Sequence, residues 1–93
     1  MAKVKDCMVE ECAYNRGQRC HALAITIGDT RRHPKCDTYF DLQEKGGDST
    51  VVAGVGACKV SACKYNSDLE CQADSIEVGY QQDEADCMTF EMK

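Results

Sequence analysis

The sequence predicts a small metal-stabilised protein of two tandem cysteine-rich modules, each with a short antiparallel β-sheet and long loops. The chain has 93 residues and eight cysteines, which form two quartets with the same C-x4-C-x7-C-x15-C spacing. The quartets are Cys7, Cys12, Cys20 and Cys36, and then Cys58, Cys63, Cys71 and Cys87, displaced by 51 residues without an insertion. A repeat of about 40 residues rarely folds on a hydrophobic core alone, so the sulfurs must contribute stability.

The repeat extends beyond the cysteines. The positions kept in both copies are apolar residues and turn formers: Val4 and Val55, Val9 and Val60, Tyr14-Asn15 and Tyr65-Asn66, Ile25 and Ile76, Gly28 and Gly79, Thr38 and Thr89. These are the residues that a minimal core and its corners need. We therefore expect a first module over residues 1–42, a linker over 43–54 and a second module over 55–93.

In each module the pattern predicts an extended entry, a tight turn and a strand, in that order. Alternating apolar residues over 4–9 predict the entry, and Asn15-Arg16-Gly17 is typical of a turn. Ile25-Thr26-Ile27 predicts a strand that ends at Gly28. The equivalent positions in the second module are 55–60, 66–68, and 76–78 followed by Gly79.

A two- or three-stranded sheet then needs a return strand. We place it just after the fourth cysteine, over 37–40 and 88–91, with the first three cysteines on loops beside the sheet. A helical turn, in either C-x4-C segment or over 81–86, is the weaker expectation. The linker begins as a polar stretch over 43–50, but the apolar segment 51–56 is unlike a free tether, so we expect it to pair with its own module or its neighbour.

Clustered cysteines serve either as metal ligands or as disulfides, and the choice depends on the compartment. The first residues carry no apolar run that would act as a secretory signal or a membrane span, so we expect a cytoplasmic protein with metal-bound cysteines. Four thiolates suit tetrahedral zinc, one ion per module, and iron is the main alternative. The positions equivalent to His21 and His33 in the second module are Gln72 and Glu84, so neither histidine is a ligand common to both modules.

Charge divides the chain and limits its partners. The net charge is −5, which argues against general binding to nucleic acid or to an anionic membrane. The basic segment 31–35 precedes Cys36, whereas its counterpart 82–86 is acidic. Three interpretations of these segments stay open. They are ordinary solvated surface, or they face each other, within the chain or between two copies. In the third interpretation the basic segment contacts RNA or an acidic protein.

The string Cys-x4-Cys-x-Tyr-Asn-x4-Cys-x-Ala-x2-Ile-x-(Ile/Val)-Gly, closed by Cys-x-Thr-(Tyr/Phe), resembles the bacterial "domain of unknown function 1540" family. The resemblance covers residues 4–41 and 55–92. It implies cysteine-rich repeats of this length that are suspected of binding zinc, in an intracellular bacterial protein, and it implies no substrate.

The leading functional interpretation is a structural zinc-binding module that mediates contact with an unidentified protein partner or assembly. Sensing or handling of zinc or iron, or redox sensing, is the first alternative, and a disulfide-stapled scaffold is the second. We expect no enzyme, because four cysteines close the coordination sphere of a zinc ion and the chain has no C-x-x-C redox pair.

Overall fold

Short β-strands make up the regular structure of the protein. The computed structural model describes residues 1–28 and 33–93. Within these residues the strands are β1 (Lys3–Cys7), β2 (Asn15–Arg16), β3 (Arg19–Cys20), β4 (Ala24–Ile27), β5 (Gly54–Cys58), β6 (Asn66–Ser67), β7 (Glu70–Cys71), β8 (Ser75–Gln81) and β9 (Glu84–Cys87). The same residues contain no helix, and so none that is long and apolar enough to cross a membrane.

One five-stranded sheet joins the two repeats, in the order β4-β5-β1-β8-β9. The expectation of a separate antiparallel sheet in each module is therefore wrong. β1 of the first repeat pairs in parallel with β8 of the second, and β5 pairs in parallel with β4, while β1 and β5 meet antiparallel in the middle. A strand's alternating pattern specifies which face is buried but not which strand lies beside it, so the pairing could not be predicted from the pattern.

The sheet has pseudo-two-fold symmetry, which relates each residue of the first repeat to the residue 51 positions later in the second. Lys3 pairs with its own equivalent Gly54, and Lys35 forms an isolated antiparallel bridge with its own equivalent Asp86. The parallel pairs β1–β8 and β4–β5 carry the same register and the same β-bulge, one between Val4 and Asp6 and the other between residues 55 and 57. The two repeats are therefore related by an axis that passes between these pairs.

Two small hairpins lie beside the sheet, β2–β3 and β6–β7. Gly17 and Gln18 turn the first with φ of 59° and 64°, and Asp68 and Leu69 turn the second with φ of 53° and 66°. Positive φ at both central residues defines the type I′ turn, whose twist matches that of the flanking strands. The turns predicted at 15–17 and 66–68 thus become the hairpins that carry the third cysteines.

The predicted return strands are misplaced. The observed return strand is β9, which ends at the fourth cysteine, and it reaches β8 through a turn at Gln82-Asp83. Residues 37–40 and 88–91 form turns and irregular structure. Gly28 does follow the end of β4, but Gly79 lies inside β8, which continues to Gln81.

The segment over 43–54 is held against the first repeat rather than free. The backbone N–H groups of Gly46, Asp48 and Ala53 donate to carbonyls of Ala13, His21 and Cys20. The ammonium of Lys45 donates to the carbonyls of Glu10 and Cys12 at 2.8 and 3.1 Å. These bonds bring β5 beside β4.

The core is built from the inward faces of the sheet. Val4, Ile25, Ile27, Val55 and Ile76 are at most 2% exposed. They alternate with more exposed residues along β1, β4 and β8, as a sheet with one buried face requires. The cysteines belong to the same buried cluster, so the core is continuous with the sulfur sites.

Candidate metal centres

The cysteines of each quartet line one cavity, separate from the cavity of the other. Cys7, Cys12, Cys20 and Cys36 surround a space of about 20 Å³. The cysteines of the second repeat, Cys58, Cys63, Cys71 and Cys87, surround another of the same size. A space of this volume holds one water molecule or one ion. The structure therefore groups the candidate ligands by repeat.

Each cysteine is placed by a different local element. In the second repeat Cys58 ends β5, Cys71 ends β7 and Cys87 ends β9, while Cys63 lies on the loop between β5 and β6. In the first repeat Cys7 and Cys20 end β1 and β3. The expectation that the first three cysteines lie on loops holds for Cys12 and Cys63, whereas the others end strands.

Each cavity is closed by residues of the opposite repeat. Val78 and Ala85 line the cavity of the first quartet, and their equivalents Ile27 and Pro34 line the cavity of the second. This exchange follows from the sheet, because β8 lies beside β1 and β4 lies beside β5. Both sites consequently depend on both repeats.

Backbone N–H groups donate hydrogen bonds to several of the sulfurs. The donor lies two residues after the cysteine: Val9 for Cys7, Ala22 for Cys20, Thr38 for Cys36, Ala73 for Cys71 and Thr89 for Cys87. Hydrogen bonds of this kind favour the charged thiolate over the thiol. The backbone around the cavities is thus arranged to stabilise negative sulfur.

A buried asparagine holds the first strand of each repeat to its hairpin. The side-chain amide of Asn15 donates to the carbonyl of Cys7 at 2.7 Å, and that of Asn66 donates to the carbonyl of Cys58 at 2.8 Å. Asn15 also donates to the Cys7 sulfur. Both asparagines were predicted only as turn residues, but their side chains also fix the position of the first cysteine.

Burial opposes ionisation of the cysteines. Loss of hydration, followed by the charge of neighbouring cysteines, raises the pKa of Cys36 to about 12 and those of Cys20 and Cys87 to about 11. The same causes raise the pKa values of Cys7 and Cys71. These groups remain protonated thiols at neutral pH unless a cation replaces their protons, because only thiolates bind metal.

The two quartets differ in exposure. All four cysteines of the first are buried, whereas Cys71 and Cys87 of the second are half-buried. All eight are free thiols in the structure. The second cavity is therefore the more accessible to solvent and reagents.

A second type of ligand cluster lies where the two repeats meet. Ligand atoms of His33, Glu84 and Asp86 all lie within 4.8 Å of one another. No three cysteine sulfurs of the described chain meet that limit, so each quartet surrounds its cavity more widely than this group.

On sequence alone His33 was excluded as a ligand common to both modules, because its equivalent in the second repeat is Glu84, and Glu84 was not considered as a ligand. No signal in the sequence would have found them, because every pair of equivalent positions is displaced by 51 and only the fold shows which pairs lie beside the symmetry axis. Residues 33–35 and 84–86 face each other within the chain, through the bridge of Lys35 with Asp86 and a contact of His33 with Asp86. Arg31 and Arg32, which belong to the predicted basic segment, lie outside the described residues.

The comparison with protein families identifies the repeats. The family described as Domain of Unknown Function (DUF1540) matches the chain twice, over residues 6–39 and 57–90. The chain belongs to this family. No curated protein and no solved structure matches it.

Membership of DUF1540 fits the repeated quartets and the strand-rich fold. It is also consistent with a metal-binding module, because all four cysteines of each repeat lie inside the matched ranges. The family description assigns no activity.

Proposed function

We propose that this DUF1540 protein is a structural metal-binding protein in which each cysteine quartet holds one zinc ion. The observation that carries the proposal is the gathering of four cysteines, 29 positions apart from first to last, around one ion-sized cavity in each repeat. Metal then completes the fold, and the outer surface of the folded protein contacts a protein partner or assembles.

The chemistry of the donor set supports this proposal. Four thiolates form a closed tetrahedral sphere around zinc in structural sites. The N–H groups of Ala22 and Thr38, among others, already point at the sulfurs, and such outer hydrogen bonds orient ligands and tune the metal. A bound dication would also replace the protons that burial retains on Cys20 and Cys36.

The size of the protein supports a structural role. Its buried core is built from valine, isoleucine, alanine and cysteine side chains, and structural zinc contributes about 10–16 kcal/mol of folding free energy in small domains. Because the four positions of each site are filled by cysteine, the same sites leave no open position for substrate. We therefore assign no catalytic role to them.

Native mass spectrometry of the freshly purified full chain, beside a denatured spectrum of the same sample, tests the proposal. We expect one chain with two zinc ions, both lost on denaturation, and eight free thiols. Two iron ions would support metal binding and show that the bound metal is iron rather than zinc. A metal-free chain lighter by about 8 Da, at about 2 Da per bridge, would contradict the proposal and favour a disulfide scaffold.

A chelation experiment distinguishes a metal ion that the fold requires from one that is only loosely bound. Removal of zinc by a strong chelator should abolish the β-sheet signal in circular dichroism, since metal binding and folding are coupled. Retention of that signal in the metal-free protein would contradict the structural role.

Metal handling or redox sensing is the second candidate, and the half-buried Cys71 and Cys87 favour it. A sensor should lose the ion of the second quartet to a weak chelator, or on mild oxidation, while the first quartet keeps its ion. Loss of both ions only under conditions that unfold the protein would contradict this candidate.

A further inference from the structure

The group formed by His33, Glu84 and Asp86 lies on the pseudo-two-fold axis of the molecule. His33 and Glu84 are equivalent positions of the two repeats, and Asp86 bridges to its own equivalent Lys35. Because the two copies differ here, the axis carries one set of three ligand groups rather than two. The group contains no cysteine, and none of its three residues lines the cavity of either quartet.

Asp86 is buried without full compensation for its charge. It is 0% exposed, and its Oδ2 lies 3.2 Å from Nδ1 of His33. Its Oδ1 and the Oε2 of Glu84 are both buried and have no hydrogen-bond partner. A buried carboxylate oxygen without a partner costs free energy, so native proteins satisfy it with a donor, a proton or a cation.

Glu84 belongs to the same group as Asp86 and His33, because each of the three residues offers a ligand atom within 4.8 Å of those of the other two. Two buried carboxylate oxygens without a hydrogen-bond partner, in one group with an imidazole, are what a bound dication would satisfy.

We propose that His33, Glu84 and Asp86 form a third cation site, which takes a divalent first-row transition-metal ion through one imidazole nitrogen and two carboxylate oxygens. Nitrogen and oxygen donors are harder than four thiolates, so this site and the cysteine sites select metals differently. A cation here joins β9 to the segment before Cys36, and so fastens the two repeats together at the axis. The site does not depend on which metal the cysteines hold.

Manganese is the probe that separates this site from the quartets, because Mn²⁺ prefers oxygen and nitrogen donors and competes poorly for thiolates. The purified full chain is titrated with Mn²⁺, free Mn²⁺ is followed by electron paramagnetic resonance, and released zinc is measured in the same samples. We expect one equivalent of Mn²⁺ bound per chain with no release of metal from the cysteines.

Variants locate the bound ion. Asp86→Asn and Glu84→Gln should each weaken Mn²⁺ binding by about tenfold or more, as expected for loss of a ligand. Asp83→Asn is the matched control, because Asp83 is an exposed acid in the turn of the same hairpin and asparagine tolerates its φ of 63°. Its affinity should stay within about twofold of the wild type.

Several results would overturn the proposal. These are no Mn²⁺ binding by the wild type, binding accompanied by stoichiometric release of zinc, or equal weakening by Glu84→Gln and Asp83→Asn. Glu84 is partly exposed and glutamine has the same shape, so Glu84→Gln keeps the test decisive if Asp86→Asn does not fold.

Discussion

At the scale of single residues, burial of the cysteines links metal binding to protonation. Hydration lost on burial raises the pKa of Cys36 to about 12 and that of Cys20 to about 11. In the folded protein without metal these groups carry protons at any pH below those values, whereas metal-bound cysteines carry none. Binding of an ion must therefore release protons.

The first prediction is that metal affinity rises steeply with pH between 6 and 8. Each tenfold fall in proton concentration favours the deprotonated, metal-bound state, and the stabilisation is lost as the pH falls. Proton release, of up to about four per ion, is measured by isothermal titration calorimetry in buffers of different ionisation enthalpy. An affinity independent of pH would show that the cysteines are thiolates before metal binds, contrary to the effect of burial.

At the scale of single elements, the type I′ turn of the second hairpin carries an unfavourable residue. Leu69 occupies the second central position with a φ of 66°, where glycine is strongly preferred. A residue with a Cβ atom costs about 1–2 kcal/mol in this region. Its carbonyl nevertheless accepts the N–H of Cys58 at 2.9 Å, so the turn supports the second cavity.

We predict that Leu69→Gly stabilises the protein. Removal of the side chain relieves the strain and creates an Asp-Gly pair, while the flexibility of glycine in the unfolded chain offsets part of the gain. We expect a net increase of about 0.5–1 kcal/mol in the free energy of unfolding, measured by urea denaturation of the metal-loaded protein.

The matched control for this change is Leu23→Gly. Leu23 is 72% exposed and has no positive φ, so the same substitution there should destabilise. Destabilisation by both substitutions would show that the turn imposes no strain on Leu69.

The elements also show how far the sequence could be interpreted. Strands β1 and β4 and their equivalents β5 and β8 were predicted, because apolar residues alternate with polar ones around Val4, Ile25 and Ile27. β9 was missed because Glu84-Ala85-Asp86 is acidic, although in the fold Ala85 lines the first cavity and Asp86 bridges to Lys35. The third ligand group was missed because its residues meet only in the folded chain.

At the scale of the whole molecule, the two cysteine sites share their walls. Val78 of the second repeat closes the first cavity, and Ile27 of the first repeat closes the second. An ion that orders one site therefore also orders a wall of the other. Such coupling between sites is reciprocal by thermodynamic necessity.

We predict that Cys20→Ser lowers the zinc affinity of the second quartet, and that Cys71→Ser lowers the affinity of the first, because each variant removes an ion that orders a wall of the other site. Competition titrations with a chromophoric chelator measure both affinities. Each variant serves as the control for the other. An unchanged affinity at the intact site would show that the quartets act independently, with the effect of Cys20→Ser confined to the first repeat.

The Lys3–Gly54 and Lys35–Asp86 pairs, each between a residue and its own equivalent, have a consequence for chains that carry a single repeat. Such a chain would expose the edges of β1 and β4 that β8 and β5 cover here, and the surface that fits those edges is a second copy of the same chain. Two copies would meet in the isologous manner of a homodimer with two-fold symmetry. In the present protein the segment over 43–54 makes that association intramolecular. Because both repeats are in one chain, equivalent residues at the axis can differ. In a dimer of identical subunits, the positions of His33 and Glu84 would carry the same residue, and so would those of Asp86 and Lys35.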